Sequence, residues 1–370
     1  MSIVRVALAI PLRRLFDYSV PANTPMPAIG TRVKVPFGKG EKVGLVIEHP
    51  SDSDIAEDKL KPFSESLDQQ ALLPESLFKL LNWASSYYHH SLGDVISQAL
   101  PALLRKGEPA KAKSIVVWRL SEQGKAADLA NFTRAPKQGV VLGSLQQQED
   151  GQLSDEQCKQ QELSRTAIKA LVDKGFIEKH EITPAPALWS KSDTNNQASL
   201  KLNAEQAIAV AAVNQSIGSF QAFLIEGITG SGKTEVYLNI IAEVLAQGKQ
   251  ALVLVPEIGL TPQTLARFAE RFKVPVYAIN SGLNDTERFT AWLKAKQGEA
   301  GIIIGTRSAV FTPMKNPGVI IIDEEHDSSF KQQDSFRYHA RDLAIVRARL
   351  EKMPVVLGSA TPSLESLHNA

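Results

Sequence analysis

At 370 residues the chain is too long for one ordinary core, so it reads as two or three domains. Its 41 basic and 40 acidic residues nearly cancel, so net charge argues neither for nor against a nucleic-acid partner, and any such site must be a local patch. The single cysteine, Cys158, excludes an internal disulfide and a multi-cysteine metal site in this chain, which suits a reducing cytoplasm. In chain order, the apolar start "MSIVRVALAIPLRRLF" is interrupted by Arg5 and Pro11 and lacks a small-residue cleavage site. It reads as a strand with Val4, Val6, Leu8 and Ile10 on one face, not as a signal peptide. No apolar run approaches the ~20 residues that span a bilayer, so no membrane partner is expected.

Residues 1–105 continue as short strands, "TRVKVPFGKG" and "KVGLVIEHP", hinged at Gly38 and Gly40. A helix follows in "PESLFKLLNWASSYYHH", with Leu77, Leu80, Leu81 and Ala84 at helical spacing. "RKGEPAKAK" at 105–113 reads as a linker. Residues 114–182 predict a helix after Pro136, a second from "LSDEQCKQ" and a third N-capped by Ser164 and ended near Gly175, then a strand. That order is a winged-helix module, open to two readings, a structural spacer or a DNA contact. "TPAPALWSKSDTNNQASL" at 183–200 is a second linker. Residues 200–370 alternate helices with uniformly apolar strands, "FLIEG", "ALVLVP", "VPVYAIN", "GIIIGT", "VIIIDE" and "PVVLGSA". Strands of that kind are buried on both faces of a parallel sheet.

The chemistry concentrates in this last segment. "GITGSGKT" matches the phosphate-loop pattern at every fixed position: Gly227, Ile228, Thr229, Gly230, Ser231, Gly232, Lys233 and Thr234. Its backbone amides would converge on phosphates at the positive end of the next helix. Lys233 would reach the β- and γ-phosphates and Thr234 would ligate Mg²⁺, so ATP with Mg²⁺ is the expected ligand. The alternative is a plain glycine-rich strand-to-helix turn. In "VIIIDEEH", Asp323 suits the second shell of the magnesium and Glu324 would orient and deprotonate an attacking water; an ordinary acidic turn is the alternative. "GSATPS" carries Ser359 and Thr361 as a nucleotide-sensing relay, and "LNAEQ" places Gln206 as an adenine reader or, alternatively, a helix-start residue. In "PEIGLTPQ" and "GTRSA", Thr261, Gln263, Thr306 and Arg307 suit phosphate contact, or else merely connect strands to helices.

Together, "GITGSGKTEVY", "LVPEIGLTPQ", "GTRSAVFTP", "IIDEEHDSSFKQQDSFRYHARDLA" and "GSATPSLES" resemble the PriA family of primosomal replication-restart helicases. "PLRRLFDYSVP", "RVKVPFGKG" and "WASSYYHHSLGDV" carry the resemblance through the first segment. It implies a multidomain α/β protein: a β-rich domain at 1–105 that binds DNA 3′ ends, a winged helix at 114–182, and a RecA-like, ATP-binding first helicase lobe at 200–370. It further implies an ATP-driven 3′→5′ helicase acting at stalled forks. By resemblance Phe16, Asp17, Gly38 and Lys61 form the pocket for the 3′-OH end of a nascent leading strand, with a shifted register left open by the Lys59–Leu60–Lys61 run. The stretch after the DEEH strand would be an aromatic-rich loop coupling single-stranded DNA to ATP hydrolysis. There Phe330, Phe336 and Tyr338 would stack on bases and Lys331, Arg337 and Arg341 would meet phosphates. The alternative is that these aromatics plug a hydrophobic gap. The resemblance also implies forked DNA, PriB, DnaT and single-stranded-DNA-binding protein as partners, and a cytoplasmic, nucleoid-associated location. A second helicase lobe with an arginine finger, and cysteine clusters for zinc, would lie beyond residue 370, so this chain is expected to bind DNA and nucleotide but not to unwind. A fork-binding module with a regulatory nucleotide site is the competing reading.

Overall fold

The computed structural model describes residues 2–190 and 201–370; the linker read at 183–200 lies partly outside them. Alternation of apolar and polar residues builds the first sheet. Strands β1 (Ile3–Leu8), β2 (Phe16–Ser19), β3 (Arg32–Phe37), β4 (Gly40–Glu48) and β5 (Glu65–Ser66) pair antiparallel in the order β2-β1-β4-β3-β5. Val4, Val6, Leu8 and Ile10 are buried in its core with Val33, Val35 and Val46, as the period-two pattern requires. Helices α1 (Glu75–Tyr87), α2 (Leu92–Ala99) and α3 (Ala102–Arg105) follow, and α1 buries Leu77, Leu80, Leu81 and Ala84 on one face.

The next stretch is a three-stranded antiparallel sheet of β6 (Ile115–Leu120), β7 (Gln152–Ser154) and β8 (Ile177–Ile182), ordered β7-β6-β8. Helices α4 (Glu122–Lys125), α5 (Pro136–Gln146), α6 (Asp155–Gln160) and α7 (Arg165–Asp173) pack on it. Ser164 caps α7 by accepting from the Ala167 N–H, and Gly175 ends it at φ +76°. The central strand β6 went unread in the sequence, although "IVVWRL" is rich in β-branched residues.

The last segment comprises α8 (Ala204–Gln215), β9 (Ala222–Glu226), α9 (Lys233–Ala246), β10 (Gln250–Leu254), α10 (Pro262–Arg271), β11 (Val276–Ile279), α11 (Asp285–Gln297), β12 (Ile302–Gly305), β13 (Pro317–Ile322), the short pair β14 (Lys331–Gln332) and β15 (Tyr338–His339), α12 (Ala340–Glu351), β16 (Val355–Ser359) and α13 (Leu364–Asn369). Six strands form a parallel sheet ordered β11-β12-β10-β13-β16-β9. Strands β10, β12 and β16 are buried throughout, and β13 is buried from Gly318 onward. The edge strands β9 and β11 are not, because each has only one neighbour; there the expectation of uniform burial fails. This segment and the first sheet belong to one compact unit, Met1–Ala110 with Pro186–Ala370, while Lys111–Ala185 forms the other.

Candidate nucleotide site and DNA interface

Strand order decides where the motifs meet. The phosphate loop follows β9, Ser359 ends β16 and the DEEH turn follows β13, and β16 lies between the other two. All three therefore sit at the carboxyl ends of adjacent strands, where open α/β sheets bind ligands. Backbone bonds tie them: Gly227 N–H donates to the Ser359 carbonyl (3.0 Å) and Glu325 N–H to the Gly358 carbonyl (3.0 Å).

Gly232 precedes α9 with φ +88° and no side chain caps that helix, so its first amides remain open to an anion. The buried Lys233 ammonium donates to the Gly227 carbonyl (2.6 Å) and lies 3.4 Å from Glu324. The Thr234 hydroxyl forms no hydrogen bond among the described residues. Gln206 is the helix-start residue its sequence context allowed, and it also reaches the phosphate loop. Its amide completes the capping box of α8 with Asn203, and its Nε2 donates to the Ser231 carbonyl (2.9 Å). Ile228 is exposed on the loop's outer side.

Asp323 is mostly buried, and burial raises its pKa against the Tyr237 hydroxyl, which donates to it over 3.1 Å. Tyr237 lies one helical turn after Lys233, on the same face of α9. Its hydroxyl is why residue 358 is glycine: a Cβ there would stand 1.6 Å from it. Glu324 takes a left-handed conformation, φ +50°, and turns the chain out of β13. His326 Nδ1 shares a hydrogen bond with Ser359 Oγ (2.6 Å), which also accepts from the Thr361 N–H (3.0 Å). The fully buried Glu325 accepts from Ser363 N–H (2.7 Å), Ser366 Oγ (3.0 Å) and Arg341 (3.0 Å). Burial works to raise its pKa, but those donors outweigh it and hold the carboxyl below its usual range. Tyr237, Glu325 and His326 were missed as site residues. The signal for Tyr237 was its i+4 spacing from Lys233; for Glu325 and His326 it was simply contiguity with Asp323 and Glu324.

These groups fit a nucleotide with Mg²⁺: open helix-end amides, one ammonium beside a carboxylate pair, and a free hydroxyl next to the lysine.

The coupling loop departs from its expected chemistry. Phe330, Phe336 and Tyr338 are 0%, 1% and 5% exposed, so none presents a face for base stacking in this conformation. The hydrophobic-plug reading describes the geometry. Phe336 stacks on Tyr338 (4.9 Å between centroids), and both pack on Phe311 from the lobe, while Phe336 also meets Tyr88 and His90. Burial pushes the Tyr338 hydroxyl up to about 12. Arg341 is likewise engaged with Glu325 and Ser363, while Lys331 and Arg337 remain exposed. Arg307 donates to the carbonyls of Ser329 and Lys331 (3.1 Å each). Thr306 is buried; Thr261 caps α10, and Gln263 is exposed in its first turn. "PEIGLTPQ" leads into α10, but "GTRSA" leads only into a short 3₁₀ turn, Arg307–Phe311.

Of the four residues of the expected DNA-end pocket, Phe16 and Asp17 lie on the edge strand β2, while Gly38 and Lys61 are tied to it only through a neighbouring ring and a backbone carbonyl. The Phe16 ring meets Phe37, the neighbour of Gly38, edge-on at 5.4 Å, and Ser19 N–H donates to the Lys61 carbonyl (3.0 Å). Asp17 faces Arg5 across the β1–β2 ladder and accepts from it (2.6 and 3.0 Å) and from Ser53 (2.7 Å). Arg5 is the main reason the Asp17 carboxyl lies below its ordinary range.

Comparison with known proteins follows the same division. Residues 5–101 match a family model of the PriA 3′DNA-binding domain, residues 114–179 one described as primosomal protein N′-like winged helix, and residues 203–370 one described as DEAD/DEAH box helicase. The chain belongs to the PriA family. It is 48% identical to the replication restart protein PriA of Haemophilus influenzae over 375 aligned residues, covering 100% of this chain and 50% of that protein. PriA of Chlamydia pneumoniae is 37% identical (97% of this chain, 48% of that protein), and PriA of Bacillus subtilis 33% (96% and 52%). The chain thus spans about half the length of the curated PriA relatives it matches. No helix among the described residues is long and apolar enough to cross a membrane.

Proposed function

We propose that this chain supplies the nucleotide-binding and fork-binding half of an ATP-driven 3′→5′ DNA helicase that restarts replication at stalled or abandoned forks. The observation that carries the reading is the continuity from nucleotide site to DNA elements. Lys233 touches Glu324, and the neighbouring Glu325 holds Arg341 at the end of the loop, which packs in turn on Tyr88 and His90 of the first segment. Lys233 and Gly227–Thr234 would hold the triphosphate, Thr234 and Asp323 the magnesium, and Glu324 would orient water; Gln206 would read the base, and Ser359 and Thr361 relay the nucleotide state. Bound Mg²⁺ would neutralise the charge developing on the phosphates. Phe16, Asp17, Gly38 and Lys61 would take the 3′-OH end, and Thr261, Gln263, Thr306, Arg307, Lys331 and Arg337 the strand's phosphates. PriB, DnaT and single-stranded-DNA-binding protein are the protein partners in this reading, and the bacterial cytoplasm at the nucleoid its location.

The described residues contain one parallel-sheet lobe, and directional motion needs two lobes that close and open, so the chain as it stands binds but does not unwind. That same observation favours a second reading, a fork-DNA module whose nucleotide site regulates grip without turnover. Fluorescence anisotropy with oligonucleotides ending in 3′-OH or 3′-phosphate tests the end-binding part. The added phosphate places charge beside Asp17 and should weaken binding. Indifference to it would leave only salt-sensitive backbone binding.

A further inference from the structure

The hairpin of β14 and β15 pairs only Lys331 with His339 and Gln332 with Tyr338. A two-stranded pair this short is marginal by itself, yet it keeps Phe336 and Tyr338 buried. Something outside the hairpin must hold it, and the first segment does. His90 Nε2 accepts from the Arg337 backbone N–H (3.2 Å), and the Tyr88 hydroxyl accepts from the His339 N–H (3.2 Å) while donating to Asp342 (3.4 Å). Both rings also pack on Phe336. The two bonds grip the amides of Arg337 and His339, on either side of Tyr338.

We propose that Tyr88 and His90 are positioning residues that hold the 331–339 hairpin shut over its own aromatic rings, and that single-stranded DNA binds by opening it. The inference rests on the reading of this chain as a DNA-binding motor component. A cavity of about 700 Å³ runs along the hairpin, lined by Tyr88, Tyr338 and Asp342 and by the exposed cations Lys331 and Arg337, so a strand drawn there lies against the latch itself. His90 lines a second cavity of about 190 Å³ with Arg13 and Arg14, neither of which has an ion-pair partner among the described residues. With Nε2 accepting, the ring carries its proton on Nδ1, which has no hydrogen-bond partner among the described residues and would donate to a phosphate held by those arginines. One imidazole thus faces strand phosphate on one side and the loop backbone on the other. Occupancy of the β2-side cavity is thereby felt by the segment that leads through Arg341 to Glu325.

Hydrogen exchange of the 370-residue chain decides the matter without turnover. In Tyr88→Phe with His90→Ala, the peptide spanning 331–341 should exchange roughly two- to ten-fold faster per bond lost. Protection in α1 and in the parallel sheet should stay as in the unsubstituted chain, and His90→Gln, which keeps an acceptor, should restore the slow rate. Because the closed state competes less, the affinity of Tyr88→Phe, which keeps His90, for an oligo-dT strand, read by anisotropy, should rise by about the factor for one bond lost. Adding that strand to the unsubstituted chain should itself remove the protection at 331–341. Unchanged exchange in the double variant, weaker strand binding by Tyr88→Phe, or protection that survives saturating DNA would each overturn the proposal. Failure of the unsubstituted chain to bind DNA would instead strike at the proposed function, while the DNA-free exchange comparison would still report on the latch.

Discussion

Lys233 and Asp323 are both held by groups of the protein that a nucleotide and its metal would replace. Lys233 donates to Gly227 and neighbours Glu324, so in Lys233→Ala the loop loses the ammonium that would meet the phosphates in the proposed function. A hydrogen bond to a charged group is worth about 1.5–3 kcal/mol, so affinity for a non-hydrolysable ATP analogue should fall roughly ten- to hundred-fold by calorimetry. Equal affinities would remove the assignment. Asp323 allows a pH prediction. Its pKa is raised by burial and pulled back by the Tyr237 hydroxyl. Only the carboxylate binds Mg²⁺, so Mg²⁺-dependent nucleotide binding should weaken as pH falls through that raised value. Tyr237→Phe removes the donor, raises the value further and should move the loss toward higher pH while the ring stays packed. A pH profile identical to that of the unsubstituted protein would show that Tyr237 does not tune Asp323.

At the scale of elements, the DEEH turn, the loop and the start of α13 meet on one buried carboxylate. Glu325 receives Arg341, Ser363 and Ser366, which gives Arg341 a structural partner where a DNA phosphate was expected. The Arg341 side chain is only 13% exposed, so Glu325→Ala removes three bonds and leaves the guanidinium its 3.3 Å ion pair with Asp342 and the Ser363 hydroxyl. Breaking a buried pair from one side typically costs about 3–5 kcal/mol, and urea unfolding should show the unfolding free energy fall by that much, as a lower midpoint with the slope unchanged. A change under about 1 kcal/mol, the usual scale of surface ion pairs, would mean that the network is solvated in solution. The aromatics of the same loop read differently in sequence and in space. Their density suggested stacking platforms, whereas Phe311, Tyr88 and His90 offer them an apolar bed that outcompetes water.

Across the whole molecule, the first sheet, α1 and the parallel-sheet lobe lie in one compact unit, so the proposed DNA-end and nucleotide sites would share a single framework. In the proposed function the lobe would work against a second one that also supplies an arginine, a group that changes phosphoryl-transfer rates by about 10³–10⁵. Steady-state ATPase measurements on the 370-residue chain should therefore show little turnover with or without single-stranded DNA, and a forked duplex should remain paired. Robust DNA-stimulated hydrolysis would show that the catalytic set is complete in these residues.

What the sequence determined by itself was everything carried by local pattern. The phosphate loop was readable because glycines, lysine and threonine at fixed spacing serve one chemistry. The parallel sheet was readable because β10, β12, β13 and β16 are apolar without alternation, and α1 because its leucines repeat with helical period. The tertiary structure alone decided which distant groups share a contact. Nothing local says that Tyr237 lies on Asp323, that Arg5 takes both oxygens of Asp17, or that His90 accepts from Arg337, 247 positions away. Strand order sets the meeting of α9 with the DEEH turn, strand register sets Arg5 against Asp17, and the packing of the first segment on the lobe sets His90 against Arg337, all properties of the assembled core. For the same reason the loop's composition could not reveal whether its rings face DNA or protein, since a Phe is as favourable in one apolar contact as in the other until the fold supplies the neighbour.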